Sequence, residues 1–153
     1  IFESYLSDDE VSMVYAFDHL LIHGDRRNLK PNLLVRNEKL YLIDHESCLP
    51  LSEQFLEKIM KGDFVHFQGR LKDHILLKHA CRSGADNFDE FLELLTRINI
   101  SEIEQLYNFL ETQRINVQDS RLVISYFEWM KANSGLFVSY LSQNLMQLCN
   151  EKG

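Results

Sequence analysis

From Ser52 to Asn150 apolar residues recur every three or four positions and strand signals almost vanish, so most of this chain can fold only as packed helices. Phe55, Ile59 and Met60 mark one helix, and Leu71, Ile75, Leu76 and Ala80 mark the next. Phe88, Phe91, Leu92, Leu95 and Ile98 follow i, i+3, i+4, i+7 spacing, with Asp86 as the expected N-cap. Further helices are expected over 101–113, 118–132 and 135–150. Phe88, Phe91, Phe109, Tyr126, Phe127 and Phe137 sit at helical spacing beside Leu and Ile and read as core. The acidic residues spread along these helices read as solvated faces, and His74 and His79 as helix-surface residues.

The first third of the chain is different. Ser7 with Glu10 is a capping-box pattern, and Val11, Val14, Tyr15, Leu21 and Ile22 then predict a helix over 8–22, with Gly24 marking its end. Asp25-Arg26-Arg27-Asn28-Leu29-Lys30-Pro31-Asn32 is a charged loop that Pro31 keeps out of a helix interior. Leu33-Leu34-Val35 and Lys39-Leu40-Tyr41-Leu42-Ile43, joined by Arg36-Asn37-Glu38, predict a hairpin whose second strand runs into Asp44. The expected fold is α+β and mainly α-helical. A loop-and-hairpin segment (1–51) precedes a helical remainder (52–153).

Charge and cysteine content narrow the function classes. With 16 Lys and Arg against 23 Asp and Glu the formal net charge is −7, which argues against a general nucleic-acid binder. Cys48, Cys81 and Cys149 are odd in number and far apart, without C-x-x-C spacing, a pattern that suits a reducing cytoplasm. No apolar run reaches the length of a membrane span, so no membrane partner is expected. The chain begins at Ile1, which reads as a fragment of a longer protein.

A loop that concentrates Asp, two Arg, two Asn and Lys after an apolar helix is costly to order, and phosphoryl transfer supplies a reason for it. In that chemistry a loop Asp orients the attacking hydroxyl. A downstream Asn helps hold a divalent metal, and an Asp ending a strand binds the Mg²⁺ that bridges the ATP phosphates. Asp25 is the candidate base, Asn32 a candidate metal ligand and Asp44 the principal one. Lys30 and Asn28 are candidates for contacting nucleotide. Taken alone, Asp25 could equally cap a turn or pair with Arg26. Arg26 is grouped with Asp25 as catalytic, although bracing the loop by a charge-assisted bond to a carboxylate is its more natural role. His19 and His23 have metal-compatible spacing, but no third ligand follows, so His23 reads as packing behind the loop. His45 reads as a support for Asp44.

The run Phe17-Asp18-His19-Leu20-Leu21-Ile22-His23-Gly24-Asp25-Arg26, with Pro31-Asn32-Leu33-Leu34 and Leu40-Tyr41-Leu42-Ile43-Asp44-His45, resembles the catalytic core of the HipA-like kinases. Gly24-Asp25-Arg26-Arg27-Asn28 is more distantly similar to the loop of phosphatidylinositol kinases. The likeness covers Phe17 to Glu46. It implies a protein-kinase-like fold with ATP and Mg²⁺ between two lobes, this chain being the helical lobe and the small N-terminal lobe lying before Ile1. It also implies a protein Ser or Thr hydroxyl as acceptor, with a lipid or small-molecule hydroxyl as the runner-up. Two departures stand out. Kinases generally place the metal-binding Asn five residues after the catalytic Asp, where this chain has Lys30: either the loop is longer and Asn32 keeps the role, or a ligand is lost. Asp44-His45-Glu46 replaces the Asp-Phe-Gly of protein kinases. A catalytically silent kinase scaffold or helical interaction module is therefore the alternative reading.

Overall fold

The computed structural model describes residues 5–37, 39–65, 67, 72–84 and 86–152. Within them run α1 (Asp8–Leu20), β1 (Leu33–Arg36), β2 (Lys39–Leu42), α2 (Glu53–Met60), α3 (Leu77–Ser83), α4 (Asp89–Thr96), α5 (Ile100–Thr112), α6 (Ser120–Ala132) and α7 (Ser134–Lys152). The fold is mainly helical with one small antiparallel sheet.

Helix α1 starts where the sequence predicts. The Glu10 N–H donates to Ser7 Oγ at 3.2 Å and the Ser7 N–H donates to the Glu10 carboxylate at 2.8 Å, so two orphan donors are satisfied reciprocally. Asp8, Asp9 and Glu10 add negative charge where the helix dipole favours it. The helix ends at Leu20 rather than Ile22, because Ile22 takes a left-handed φ of 55° that turns the chain toward the loop. One face buries Val11, Val14, Tyr15 and Ala16, and the same face also buries Asp18 and His19.

The hairpin pairs Leu33 with Leu42, Leu34 with Tyr41, Val35 with Leu40 and Arg36 with Lys39. This register sets Leu33, Leu40 and Leu42 against the core and leaves Leu34, Val35 and Tyr41 exposed. Beyond the ladder the Ile43 N–H donates to the Asn32 carbonyl at 3.1 Å. The end of the charged loop and the residue before Asp44 are thereby fastened together.

Four expectations change. The helix expected to span Leu71 to Ala80 begins only at Leu77, and Leu71 lies outside the described residues. Ahead of it, the Ile75 N–H donates to the Arg26 carbonyl at 2.9 Å and His74 pairs with Arg27 as an isolated antiparallel bridge, so this backbone serves the loop instead of a helical turn. His74, expected on a helix surface, is accordingly buried and outside any helix. In α4 the N-cap position is Phe88 rather than Asp86, and the Asn87 side chain accepts from the Asp89 N–H. Phe109 is 58% exposed rather than in the core, because α5 lies on the outside and buries none of its residues fully. Periodicity identified that helix without showing how much of its apolar face a neighbour covers.

The core runs from α1 through α3 and α4 to α6 and α7. Phe64, Phe67, Phe137 and Tyr140 form an aromatic cluster with ring centroids 4.8 to 6.2 Å apart. Trp129 lies half-buried at its side, 5.9 Å from Phe64. The Tyr126 hydroxyl, fully buried in α6, donates to the Leu20 carbonyl at 2.6 Å and satisfies the end of α1. Against the expectation that the cysteines suit a reducing setting, Cys81 of α3 and Cys149 of α7, 68 positions apart, are joined as a disulfide, a proximity that sequence spacing does not express. Among the described residues no helix is long and apolar enough to cross a membrane.

Two outcomes are expected. Replacing Cys81 and Cys149 together by Ser should lower unfolding free energy by about 2–4 kcal/mol in denaturant titration and abolish any further response to reductant. His19 donates from Nδ1 to the Tyr15 carbonyl at 2.8 Å, and burial lowers its pKa to about 3. An unfolded chain takes up a proton near 6.5 that the folded one refuses, so stability is full above 6.5 and declines as pH falls toward 3. Thermal melts between pH 7 and 4 should show this acid sensitivity, and His19→Leu should reduce it.

Candidate functional site

A guanidinium removed from water must find acceptors nearby, and Arg26, 1% exposed, finds them on both sides of the loop. Its Nε donates to Asp18 Oδ2 at 2.5 Å and its Nη2 to Asp18 Oδ1 at 3.1 Å, a two-pronged pairing with one carboxylate. Nη1 donates to the Asn32 carbonyl, and Nη2 lies 3.4 Å from His45 Nε2. Asp18 Oδ2 also accepts from His74 Nε2 at 2.8 Å. The Leu76 N–H donates to His74 Nδ1 at 3.2 Å, which leaves the imidazole proton on Nε2, facing the carboxylate. Burial by itself pushes the Asp18 carboxyl up, but hydrogen bonds from His74 and Arg26, with the Arg26 charge, outweigh it and hold the group below the usual carboxylate range.

In front of this buried bracket the loop closes on itself. The Arg27 N–H donates to the Lys30 carbonyl at 3.0 Å and the Lys30 N–H to the Arg27 carbonyl at 2.9 Å, leaving Asn28 and Leu29 at an exposed tip. The closure swings Lys30 back over Asp25. Its ammonium lies 3.0 Å from Asp25 Oδ2 and 3.7 Å from Asp44 Oδ2, and Arg27 Nη2 donates to Asp25 Oδ1 at 3.0 Å. The Lys30 hydrogen bond is the main cause holding the Asp25 carboxyl below its ordinary range, and Asp25 and then Asp44 hold the Lys30 ammonium above its own.

Backbone shape contributes as well. Asn32 and Asp44 both adopt left-handed φ, 48° and 60°, at the two ends of the hairpin. Such conformations disfavour most side chains and are tolerated best by Asn and Asp, so the residue types fit the turns that aim them. His23 is buried behind Asp44, donating from Nε2 to its carbonyl at 2.9 Å. The His23 ring meets His45 edge-on at 5.4 Å, and His45 meets Phe17 at 6.2 Å. Burial, then the Arg26 charge, lowers the pKa of His45, consistent with its Nε2 facing a guanidinium donor.

The fold thus brings Asp25, Lys30 and Asp44 to one point and fastens Asn32 beside them through its backbone. Asn32 Nδ2 is buried without a partner among the described residues, and Asn28 is exposed with no side-chain hydrogen bond to a described residue. Arg26, grouped with Asp25 as catalytic, stands behind the loop as its brace. Two carboxylates and an amide are the hard oxygen donors that suit Mg²⁺, which often takes only one or two carboxylates along with substrate phosphates. Among the described residues no group of three or more His, Cys, Asp or Glu side chains is arranged to hold a metal, and the Lys30 ammonium already neutralises part of this pair.

Sequence reasoning missed Asp18 and His74. Asp18 did carry a signal: it falls on the stripe of Val11, Val14 and Tyr15, where an acid must find a buried partner, and Arg26 follows one loop later. His74 carried none, since 56 positions separate it from Asp18. No protein-family model, curated protein or solved structure matches this chain. If Lys30 is what holds the Asp25 carboxyl low, Lys30→Met should move its titration, followed by carboxyl carbon NMR, upward toward the ordinary Asp range.

Proposed function

We propose that the chain is the helical lobe of an ATP-dependent phosphotransferase of the HipA-like kinase type. The observation that carries this reading is the convergence of Asp25 and Asp44, 19 positions apart by number, on one ammonium group. A loop carboxylate able to orient a hydroxyl, facing a strand-end carboxylate able to hold Mg²⁺, is the pairing that phosphoryl transfer needs. Mg²⁺ held by Asp44 and Asn32 would neutralise charge on the ATP phosphates. Lys30 and then Arg27 hold the Asp25 carboxyl below its ordinary range, which keeps it an ionised acceptor that can orient the attacking hydroxyl. The acceptor we favour is a protein Ser or Thr, with a lipid or small-molecule hydroxyl next, and the adenine side of the site belongs to a small N-terminal lobe.

A second reading has its own observation. Lys30 stands where kinases generally carry a metal-binding Asn, and its ammonium touches both carboxylates. A resident cation there competes with Mg²⁺ and favours a catalytically silent scaffold acting through protein contacts.

Phosphate transfer from labelled ATP by the intact protein with Mg²⁺ separates the two. On the kinase reading, Asp25→Asn lowers turnover by roughly 10²–10⁴-fold with nucleotide affinity nearly unchanged, whereas Asp44→Ala weakens Mg²⁺-dependent nucleotide binding. Full activity in either variant overturns the assignment. Absence of both turnover and metal-dependent nucleotide binding in the unmodified protein establishes the silent scaffold instead.

A further inference from the structure

The loop bearing Asp25 is short, charged and largely exposed, yet phosphoryl transfer requires its carboxylate to be held in a fixed place. Within the loop, Asp25 is held by Lys30 and Arg27, both about half exposed, and ion pairs of that kind fix geometry only weakly. The rigid hold comes from behind. Arg26 is locked to Asp18, and Asp18 Oδ2 is shared between Arg26 Nε and His74 Nε2. The segment carrying His74 is also attached through its backbone: the Ile75 N–H donates to the Arg26 carbonyl at 2.9 Å, within an antiparallel bridge that pairs Arg27 with His74. The imidazole is itself pinned, by the Leu76 N–H on Nδ1 and by the Tyr15 ring at 5.3 Å edge-on. It therefore cannot turn away without breaking a buried hydrogen bond.

We infer that His74 is a positioning residue for Asp25, setting the place of the loop through Asp18 and Arg26 from a segment outside the loop and hairpin. This rests on the phosphotransferase reading for its catalytic consequence. The physical role is narrower than general core support. His74 supplies the second donor to one carboxylate oxygen, so its removal loosens the bracket without removing the Asp18–Arg26 ion pair. Movement of the chain leading into α3 would reach Asp25 by the same route.

The test compares the intact protein with His74→Leu, which keeps bulk and removes the donor, and His74→Gln, whose amide can restore it. Turnover with Mg²⁺ and ATP is measured beside hydrogen exchange at the Arg27 and Lys30 amides. In His74→Leu, kcat falls about tenfold or more with KM for ATP within about twofold, and the two loop amides exchange about tenfold faster while those of α6 do not change. His74→Gln recovers most of both. Unchanged loop exchange and turnover in His74→Leu, or equal acceleration throughout α6, overturns the inference. Should His74→Leu fail to fold, His74→Asn replaces it as the variant too short to reach Asp18; equal behaviour of the Asn and Gln variants then overturns the inference. If the unmodified protein neither turns over nor binds Mg²⁺ and ATP, the phosphotransferase reading itself fails and takes the catalytic role of His74 with it. Accelerated loop exchange in His74→Leu then marks that failure as one of the reading rather than of the contact.

Discussion

The buried pair of Arg26 with Asp18 is the interaction on which the rest of the front half depends. Both side chains are wholly removed from water, a state that is strongly unfavourable for either charge without the other. Arg26 then reaches forward to the Asn32 carbonyl while Asp18 reaches sideways to His74. One ion pair thereby ties together the end of α1, the charged loop, the first residue before the hairpin and the chain entering α3. A buried ion pair adds little net stability compared with apolar packing, and what it contributes here is geometry.

Around that pair the fold divides its labour. Aliphatic and aromatic side chains of α1, α3, α4, α6 and α7 supply the burial that drives folding, while the polar network at the C-terminal end of α1 supplies direction. His19 bonds to Tyr15, Tyr126 bonds to Leu20, and Asn144 of α7 lies 3.4 Å from the Tyr15 hydroxyl. The loop in front inherits a rigid rear wall and keeps its charged side chains in water. That separation suits a site in which carboxylates must be reachable and yet held still.

Lys30 is the residue on which the proposed chemistry turns. Its hydrogen bond to Asp25 and proximity to Asp44 make it an internal counter-ion for two acids that repel each other when both are ionised. A divalent ion would play the same electrostatic part with greater charge and directional ligation. Whether the ammonium can yield its place to a metal is the physical difference between the two proposed readings, a kinase lobe and a silent scaffold.

Much of the molecule was legible in the residues alone. The capping box of Ser7 and Glu10, the hairpin and the order of helices follow from local rules, since capping, strand alternation and helical periodicity depend on near neighbours. The front of the candidate site was also legible, because Asp25, Lys30, Asn32 and Asp44 lie within one short run, whereas Asp18 and His74 behind it were not singled out. What tertiary structure alone decided are relations between distant residues. Among them are the Lys30 ammonium meeting both acids, Arg26 turning inward to Asp18, His74 leaving the helix surface for the core, and Cys81 meeting Cys149. Periodicity records which side of an element is apolar; only the packed chain fixes which partner covers that side, because a buried charge or thiol finds its partner through the fold rather than along the sequence.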